Sequence, residues 1–372
     1  MESVEKKDQK TICRIVITGG PCAGKSTALE SIKKAFSGKG WTVLFVPETA
    51  TELINGGVAP WTCGTPAEYQ RCQMELQIKK EAVFLRAARS MPTEKVLIVC
   101  DRGLLDNRAY MSAEKFAEIL AELGETEVSL RDGYDAVFHL IIAARGAEAF
   151  YTTENNSART ESVDEAIALD NRVIEAWTGH PHFRVIDNST DFEGKLQRLI
   201  SEIAAFLGEP EPVERERKFL IEYPDVDFLD SIPNCQRTEI IQTYLLSDGD
   251  EEVRIRQRGL SGSYMFYKTR KSRNGGMART EIETRISAEE YLGLLLDADP
   301  ARRPVRKTRF CLTYENQYFE IDIYPFWKDR AILEIELKNE TDEIVFPDFI
   351  RVVREVTEEP EYRNSSIAAK LD

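Results

Sequence analysis

Six short segments in the second half of the chain set charges of like sign on alternate positions. They are Glu214-x-Glu216, Arg254-x-Arg256-x-Arg258, Glu281-x-Glu283, Lys307-x-Arg309, Glu320-x-Asp322 and Glu334-x-Glu336. A β-strand has a side-chain period of two, so each segment lines its charges along one face. Two like charges about 7 Å apart on a strand repel by about 2 kcal/mol at an effective dielectric of about 20. In three of the acidic segments the residue between is Ile282, Ile321 or Ile335, so the opposite face is apolar and needs its own cover. Any one segment alone reads equally as the solvated side of an amphipathic strand. Together, with sign segregated by strand, they read as a barrel with a charged interior. Divalent cations would relieve its carboxylates, and a polyanion such as a triphosphate its arginines and lysines.

A second pattern lies near the start. Arg14-Ile-Val-Ile-Thr is a short apolar strand that runs into Gly19-Gly20-Pro21-Cys22-Ala23-Gly24-Lys25-Ser26-Thr27 and then a helical pattern. From Gly19 it fits G-x-x-x-x-G-K-[ST], the phosphate-binding P-loop. Its glycines let backbone N–H groups approach phosphate oxygens, and the helix N-terminus adds a favourable dipole. Lys25 is expected on the β- and γ-phosphates of ATP or GTP, and Ser26 on Mg²⁺.

Two further strands of this half end in acids. The strand from Lys95 ends at Asp101-Arg102-Gly103, where Asp101 reads as a Walker B metal partner or as a turn residue. The strand from Trp41 ends at Glu48, which reads equally as a general base or metal-water contact and as a structural residue. Arg145, Arg159 and Arg172 lie in a long polar stretch between two later strands, and Arg145 follows its strand most closely. Each suits neutralisation of a transferring phosphoryl group or a solvated helical face. Asp187 to Thr190 follow the last strand, where a nucleotide base often sits.

The tunnel segments, with Lys218, Lys268 in FYKTRK and the closing Tyr362-Arg-Asn364-Ser-Ser366, resemble the CYTH, or triphosphate tunnel metalloenzyme, superfamily from Val213 onward. GGPCAGKST, PETA at 47–50 and DRG at 101–103 resemble P-loop ATPases that include nicotinamide-riboside kinase-like domains. The two halves together resemble the TRPL translocation defect protein family. These resemblances imply an α/β P-loop domain with a parallel sheet, followed by an eight-stranded antiparallel triphosphate tunnel. The expected boundaries are a tail at 1–10, the P-loop domain at 11–207, a linker at 208–212 and the tunnel domain at 213–372.

The expected tunnel chemistry is metal-dependent triphosphate hydrolysis. Glu214, Glu216, Glu334 and Glu336, helped by Asp322, are expected to hold Mg²⁺ or Mn²⁺, because hard cations take carboxylate oxygen. Lys218, Arg254, Arg256, Lys268, Lys307 and Arg309 clamp the phosphates, and Glu281, Glu283 and Glu320 support them. Arg258 is expected past the tunnel mouth, and Arg306 has the wrong parity. Alternatives are a regulatory GTP- or ATP-binding protein whose tunnel holds a phosphorylated ligand such as a phosphoinositide without cleaving it, and a nucleoside-type kinase with a triphosphate-sensing tunnel.

At 372 residues and 42% hydrophobic content the chain can bury two cores. Its formal net charge of -15 argues against a broad nucleic-acid or anionic-membrane surface. Seven scattered cysteines without C-x-x-C spacing point away from zinc and disulfides, and toward a reducing cytoplasm. Cys22 reads as a small filler or as an oxidation-sensitive thiol. With only three histidines, acid–base chemistry falls to carboxylates, lysine or metal-bound water.

Overall fold

The computed structural model describes residues 10–145, 162–209, 216–247, 251–273, 279–337 and 342–370, with backbone alone at 272–273, 279–282 and 370. The chain divides into two compact units between Ser201 and Glu202.

In the N-terminal unit, β1 (Thr11–Thr18), β2 (Thr42–Val46), β3 (Lys95–Asp101), β4 (Ala136–Leu140) and β5 (Phe183–Ile186) form a five-stranded parallel sheet in the order β2-β3-β1-β4-β5. Continuous apolar runs such as Val96 to Cys100, fully buried, are what a parallel strand covered on both faces requires. The connections are helical: α1 (Lys25–Ser37), α2 (Thr49–Asn55), α3 (Pro66–Ser90), α4 (Ala113–Leu123), α5 (Glu127–Arg131) and α6 (Val163–Trp177), with α7 (Phe192–Phe206) after β5. Local chemistry fixes their starts. Thr65 caps α3 by accepting from the Glu68 N–H, with Pro66 in the first turn, and Ser162 and Glu165 form a capping box on α6. This layout brings the ends of β1, β2 and β3 to one edge of the sheet. Substrates of open α/β folds bind at such an edge.

The C-terminal unit holds β6 (Glu216–Glu222), β7 (Cys235–Tyr244), β8 (Glu252–Leu260), β9 (Ser263–Arg273), β10 (Arg279–Ile286), β11 (Val305–Tyr314), β12 (Gln317–Ile323), β13 (Arg330–Glu336) and β14 (Val352–Glu355). They form an antiparallel sheet of nine strands in the order β10-β9-β8-β7-β11-β12-β13-β6-β14. The expected parallel α/β domain and antiparallel tunnel-type sheet are both present; the second has one strand more than the expected eight, with no pairing between its edge strands among the described residues. The reason is β14, which takes the edge of β6 not used by β13, with a register shift between Val352 and Arg354.

The apolar side of this sheet has the cover its isoleucines demand. Ile321, Ile335, Phe219, Phe310 and Phe319 pack with Leu229 of α8 (Val226–Ser231) and with Ile344, Phe346 and Ile350. A smaller cluster joins Val253 and Ile255 to Tyr291 of α9 (Ala288–Leu294). On the charged side, Leu220, Tyr244, Val305, Tyr324 and Ile332 make one apolar end, packed against Ile367 and Ala368 of α10 (Asn364–Lys370).

Candidate functional site

The P-loop folds as its glycines require. Gly19 has φ 141°, and a Cβ there would lie 2.3 Å from the Leu140 carbonyl oxygen; Gly24 has φ 88°, with the Phe192 ring 2.5 Å from where its Cβ would stand. Gly20, Pro21, Cys22 and Ala23 complete the turn, Cys22 itself at φ 57°. Gly24 is the N-cap of α1 and supplies no side-chain cap, so the first N–H groups of α1 keep their anion-binding capacity, beside exposed Ser26 and Thr27.

Lys25 bends back over its own loop and donates to the carbonyls of Gly19 (3.0 Å) and Gly20 (3.2 Å). Burial, reinforced by Arg102, brings its ammonium down to about 8. That value gives a pH-dependent affinity. Below about pH 8 a nucleotide triphosphate meets a charged lysine, whereas above it binding must first recover the proton, weakening by about tenfold per pH unit. Nucleotide titrations at pH 7 and 9 should show that loss, and a flat profile would contradict it.

Glu48 and Arg102 meet at the sheet edge: Arg102 Nε donates to Glu48 Oε1 at 2.5 Å and its Nη1 to Asp106 Oδ2 at 3.1 Å. Burial opposes ionisation of Glu48, but Arg102 and Lys25 outweigh it and hold the carboxyl down to about 2. Asp106 also accepts from Thr18 Oγ1 (2.7 Å) and Trp177 Nε1 (2.6 Å). Asp101 behaves differently. Burial raises its carboxyl, and its buried Oδ1 makes no hydrogen bond among the described residues, which suits the expected metal contact.

Several groups that support the loop were not legible in the sequence. Asp170 of α6 accepts from the Gly20 N–H at 2.9 Å and lies 3.0 Å from His139 Nε2, so His139 is a core residue with a partner. Lys195, buried, donates to the carbonyls of Ala23 and Ile141 and to Asn188 Oδ1. Asn188 in turn donates to the carbonyls of Ile142 and Arg145. Arg145 pairs with Asn171 beside Asp170, while Arg172 donates to the Ala109 carbonyl and holds a 3₁₀ turn. Arg159 lies outside the described residues.

In the C-terminal unit the register assigns each charge to a face. Lys218 stands opposite Glu334, Arg309 opposite Asp322, and Arg256 opposite Gln242 and Tyr267. Arg309 is enclosed by acids: Nε and Nη2 reach Asp322, Nη2 also reaches Glu334 Oε2 at 2.7 Å, and Nη1 reaches Glu320. Although burial disfavours its charge, Asp322 and Glu320 hold the guanidinium well above its usual range. Lys218 lies between Glu216 (2.9 Å) and Glu334, and these carboxylates raise it despite burial. Burial and then Arg309 push Lys307 down, although Asp322 pairs with it.

Some expected roles shift. Lys268 stands opposite Ile255, on the outer face with Phe266, whereas Arg254, Arg256 and Arg258 share a face with Thr269, Tyr267 and Met265. The assignment of Lys268 to the phosphates is corrected by that register. Arg258 does not lie past the mouth; it is 2% exposed, with Nη2 3.9 Å from Cys311 Sγ. Arg306 is exposed on the opposite face from Lys307.

Among the described residues, no group of three or more histidine, cysteine, aspartate or glutamate side chains converges as a metal site. Asp322 and Glu334 are drawn to cationic side chains. Two pairs of carboxylate residues nevertheless stand directly opposite each other, Glu216 with Glu336 and Glu320 with Glu334. Facing like charges destabilise a sheet unless something positive lies near them, and oxygen donors of this kind fit Mg²⁺ or Mn²⁺. Lys218 supplies that charge between Glu216 and Glu334. Glu214 lies outside the described residues, as does the side chain of Glu281, while Glu283 accepts from Thr269 Oγ1 at 2.9 Å and lies 3.5 Å from Arg256.

Two families match this chain. Residues 14–195 match the AAA domain family, and residues 213–368 match the CYTH domain family. Among solved structures, the hypothetical protein NE1496 is 27% identical over 43% of this chain and 99% of its own, with a TM-score of 0.31. The inorganic triphosphatase NE1496 is 26% identical over 42% and 95%, with a TM-score of 0.30. PH1819 from Pyrococcus horikoshii OT3 is 22% identical over 34% and 80%, with a TM-score of 0.26. No curated protein matches the chain at a significant level. No helix among the described residues is long and apolar enough to cross a membrane.

Proposed function

Because the chain joins a P-loop-type AAA domain to a CYTH domain, we propose that its C-terminal unit hydrolyses a triphosphate and that its N-terminal unit binds ATP or GTP. The CYTH match supports triphosphate hydrolysis as the class of reaction. The observation that carries the finer reading is the row Arg254, Arg256 and Arg258 on β8. Their directly facing neighbours are uncharged: Tyr244, Gln242 and Ile240 on one side, and Thr269, Tyr267 and Met265 on the other. Three arginines on one face, with Arg256 3.5 Å from Glu283, suit a chain of phosphates, and guanidinium forks match phosphate geometry.

Lys307 and Arg309 extend the cationic surface toward the acids of β6, β12 and β13. Glu216 and Glu336, with Glu214 beside them in sequence, would hold a divalent cation. When bound, such an ion neutralises phosphate oxygens and lowers the pKa of water. The side chains do the rest. The arginines of β8 orient the triphosphate and stabilise charge on the leaving oxygens, and Glu283 steadies Arg256. Lys218 and Glu334 form an internal pair that keeps Glu334 ionised well below the usual carboxylate range despite burial.

The test is phosphate release from tripolyphosphate and nucleoside triphosphates with Mg²⁺ or Mn²⁺. Arg256→Ala should lower kcat/KM by about 10²-fold, the usual effect of deleting a group that stabilises developing charge. Turnover unchanged by this variant would overturn the assignment.

A further inference from the structure

The apolar side of the C-terminal sheet carries an aromatic surface in which the charged face has no part. Phe228 of α8 and Phe349 are 45% and 38% exposed, although Leu229 and Ile350, the residues that follow them, are buried. Their ring centroids lie 5.2 Å apart with the planes at 74°, and Tyr314, at the end of β11, meets Phe349 edge to face at 6.3 Å. Tyr314 shares its face of β11 with Phe310 and Leu312, opposite to Lys307 and Arg309. A lone exposed apolar side chain is ordinary on a protein surface, whereas rings from three separate segments in mutual contact make a contiguous patch.

The backbone holds these rings in place. Asp225 Oδ1 caps α8 by accepting from the Phe228 N–H at 3.0 Å, and the Ile350 N–H closes a turn around Phe349 onto the Pro347 carbonyl at 2.9 Å. Glu315 and Asn316, at φ 46° and 61°, turn the chain directly after Tyr314. Groups already fixed lose little freedom on binding, which favours recognition.

Each ring also has an exposed acid beside it in sequence: Asp227 before Phe228, Glu315 after Tyr314 and Asp348 before Phe349. Two cations of neighbouring segments have acids of their own. Arg237 pairs with Asp230 at 3.1 Å, and Arg351 lies 4.0 Å from Glu222. The patch is aromatic at its centre and negative at its border.

We infer that Phe228, Tyr314 and Phe349 form a docking surface for an arginine-bearing segment of a partner protein. Ring faces attract a guanidinium through their negative quadrupole, and carboxylates at the border accept from its N–H groups. A second copy of this chain would set acid against acid, and an anionic lipid surface would meet the same three carboxylates. Small ligands are held in clefts, whereas these rings lie open.

The whole chain is to be titrated, by fluorescence anisotropy, with a labelled octapeptide that alternates glycine and arginine. A second peptide carries citrulline, which keeps the shape of arginine without its charge. The arginine peptide should bind, and the citrulline peptide should bind at least tenfold more weakly. Phe349→Leu keeps an apolar side chain but loses the ring face, and should raise the Kd of the arginine peptide about threefold. Phe228→Ser combined with Phe349→Ser should raise it about tenfold or more, as loss of an interface centre does. Circular dichroism and the melting temperature check that each variant folds, and Phe349→Leu alone carries the test if the serine pair does not. Equal affinity of the parent chain and Phe349→Leu for the arginine peptide overturns the inference, as does equal affinity of the parent for the two peptides. A dimer in sedimentation velocity, or binding to phosphatidylserine vesicles, that Phe349→Leu weakens would give the face to another occupant and overturn it as well.

Discussion

Replacing Arg309 with methionine is expected to destabilise the C-terminal unit by about 3–5 kcal/mol, the usual cost of removing one partner from a buried ionic cluster. The guanidinium holds Glu320, Asp322 and Glu334 at once, and Asp322 is fully buried. Without it those carboxylates keep Lys307 and Lys218 but lose the group that joins them. Glu334, which Arg309 helps to hold below the usual carboxylate range, would then bind a proton more readily, so the loss should shrink as pH falls through the carboxylate range. Denaturant unfolding followed by Trp327, the tryptophan of that unit, measures it. Adding Asp322→Asn to Arg309→Met should recover part of the loss, because the double change no longer strands that charge. A single-variant loss below about 1 kcal/mol would mean that the cluster is solvated.

Lys25→Ala should weaken nucleotide binding by about a hundredfold, corresponding to about 3 kcal/mol for lost charge-assisted hydrogen bonds. The lysine is already held over the loop by the Gly19 and Gly20 carbonyls, so it need only exchange those acceptors for phosphate oxygens. Calorimetric titration of ATP and GTP into both proteins gives the number. Phosphate release from tripolyphosphate by the same variant tells whether the two units work independently: unchanged release means that they do, and joint loss means that nucleotide at the P-loop controls the tunnel face.

The period of a strand made much of the charged face legible. Lys307 with Arg309, Glu320 with Asp322, and Glu334 with Glu336 share faces whatever their neighbours are. Lys268 escaped the rule because its parity is set across a hairpin, from β8 to β9. The signal was present in Ser261-Gly262, both at positive φ, which joins Leu260 to Ser263 and thereby puts Thr269 opposite Arg254. Counting from that turn would have picked Tyr267 and Thr269.

Repulsion along each strand is only part of the electrostatics of this face. Across strands, Lys218 meets Glu334 and Arg309 meets Asp322, so much of the charge is compensated internally. In the N-terminal unit the loop and its glycines were readable because their backbone geometry has few alternatives. The Asp170 contact to Gly20 joins residues 150 positions apart and has no local signature. Nor does Lys195, whose role depends on three acceptors gathered by the fold. The edge strand β14, with four exposed residues, has little of the alternation that identifies a strand.

The pairing of β6 bears on how the C-terminal unit reaches this state. Its partners are β13 and β14, and Lys218 and Glu334 are separated by 116 positions. The first strand made is thus among the last to find its place, and Glu334, already held by Arg309, gains its second cation, Lys218, only from far away along the chain. Closing such a long loop costs entropy before any contact repays it, which slows folding. A triphosphate or a divalent ion present during refolding would act on that late step, as a template that gathers the charged strands before their own partners do.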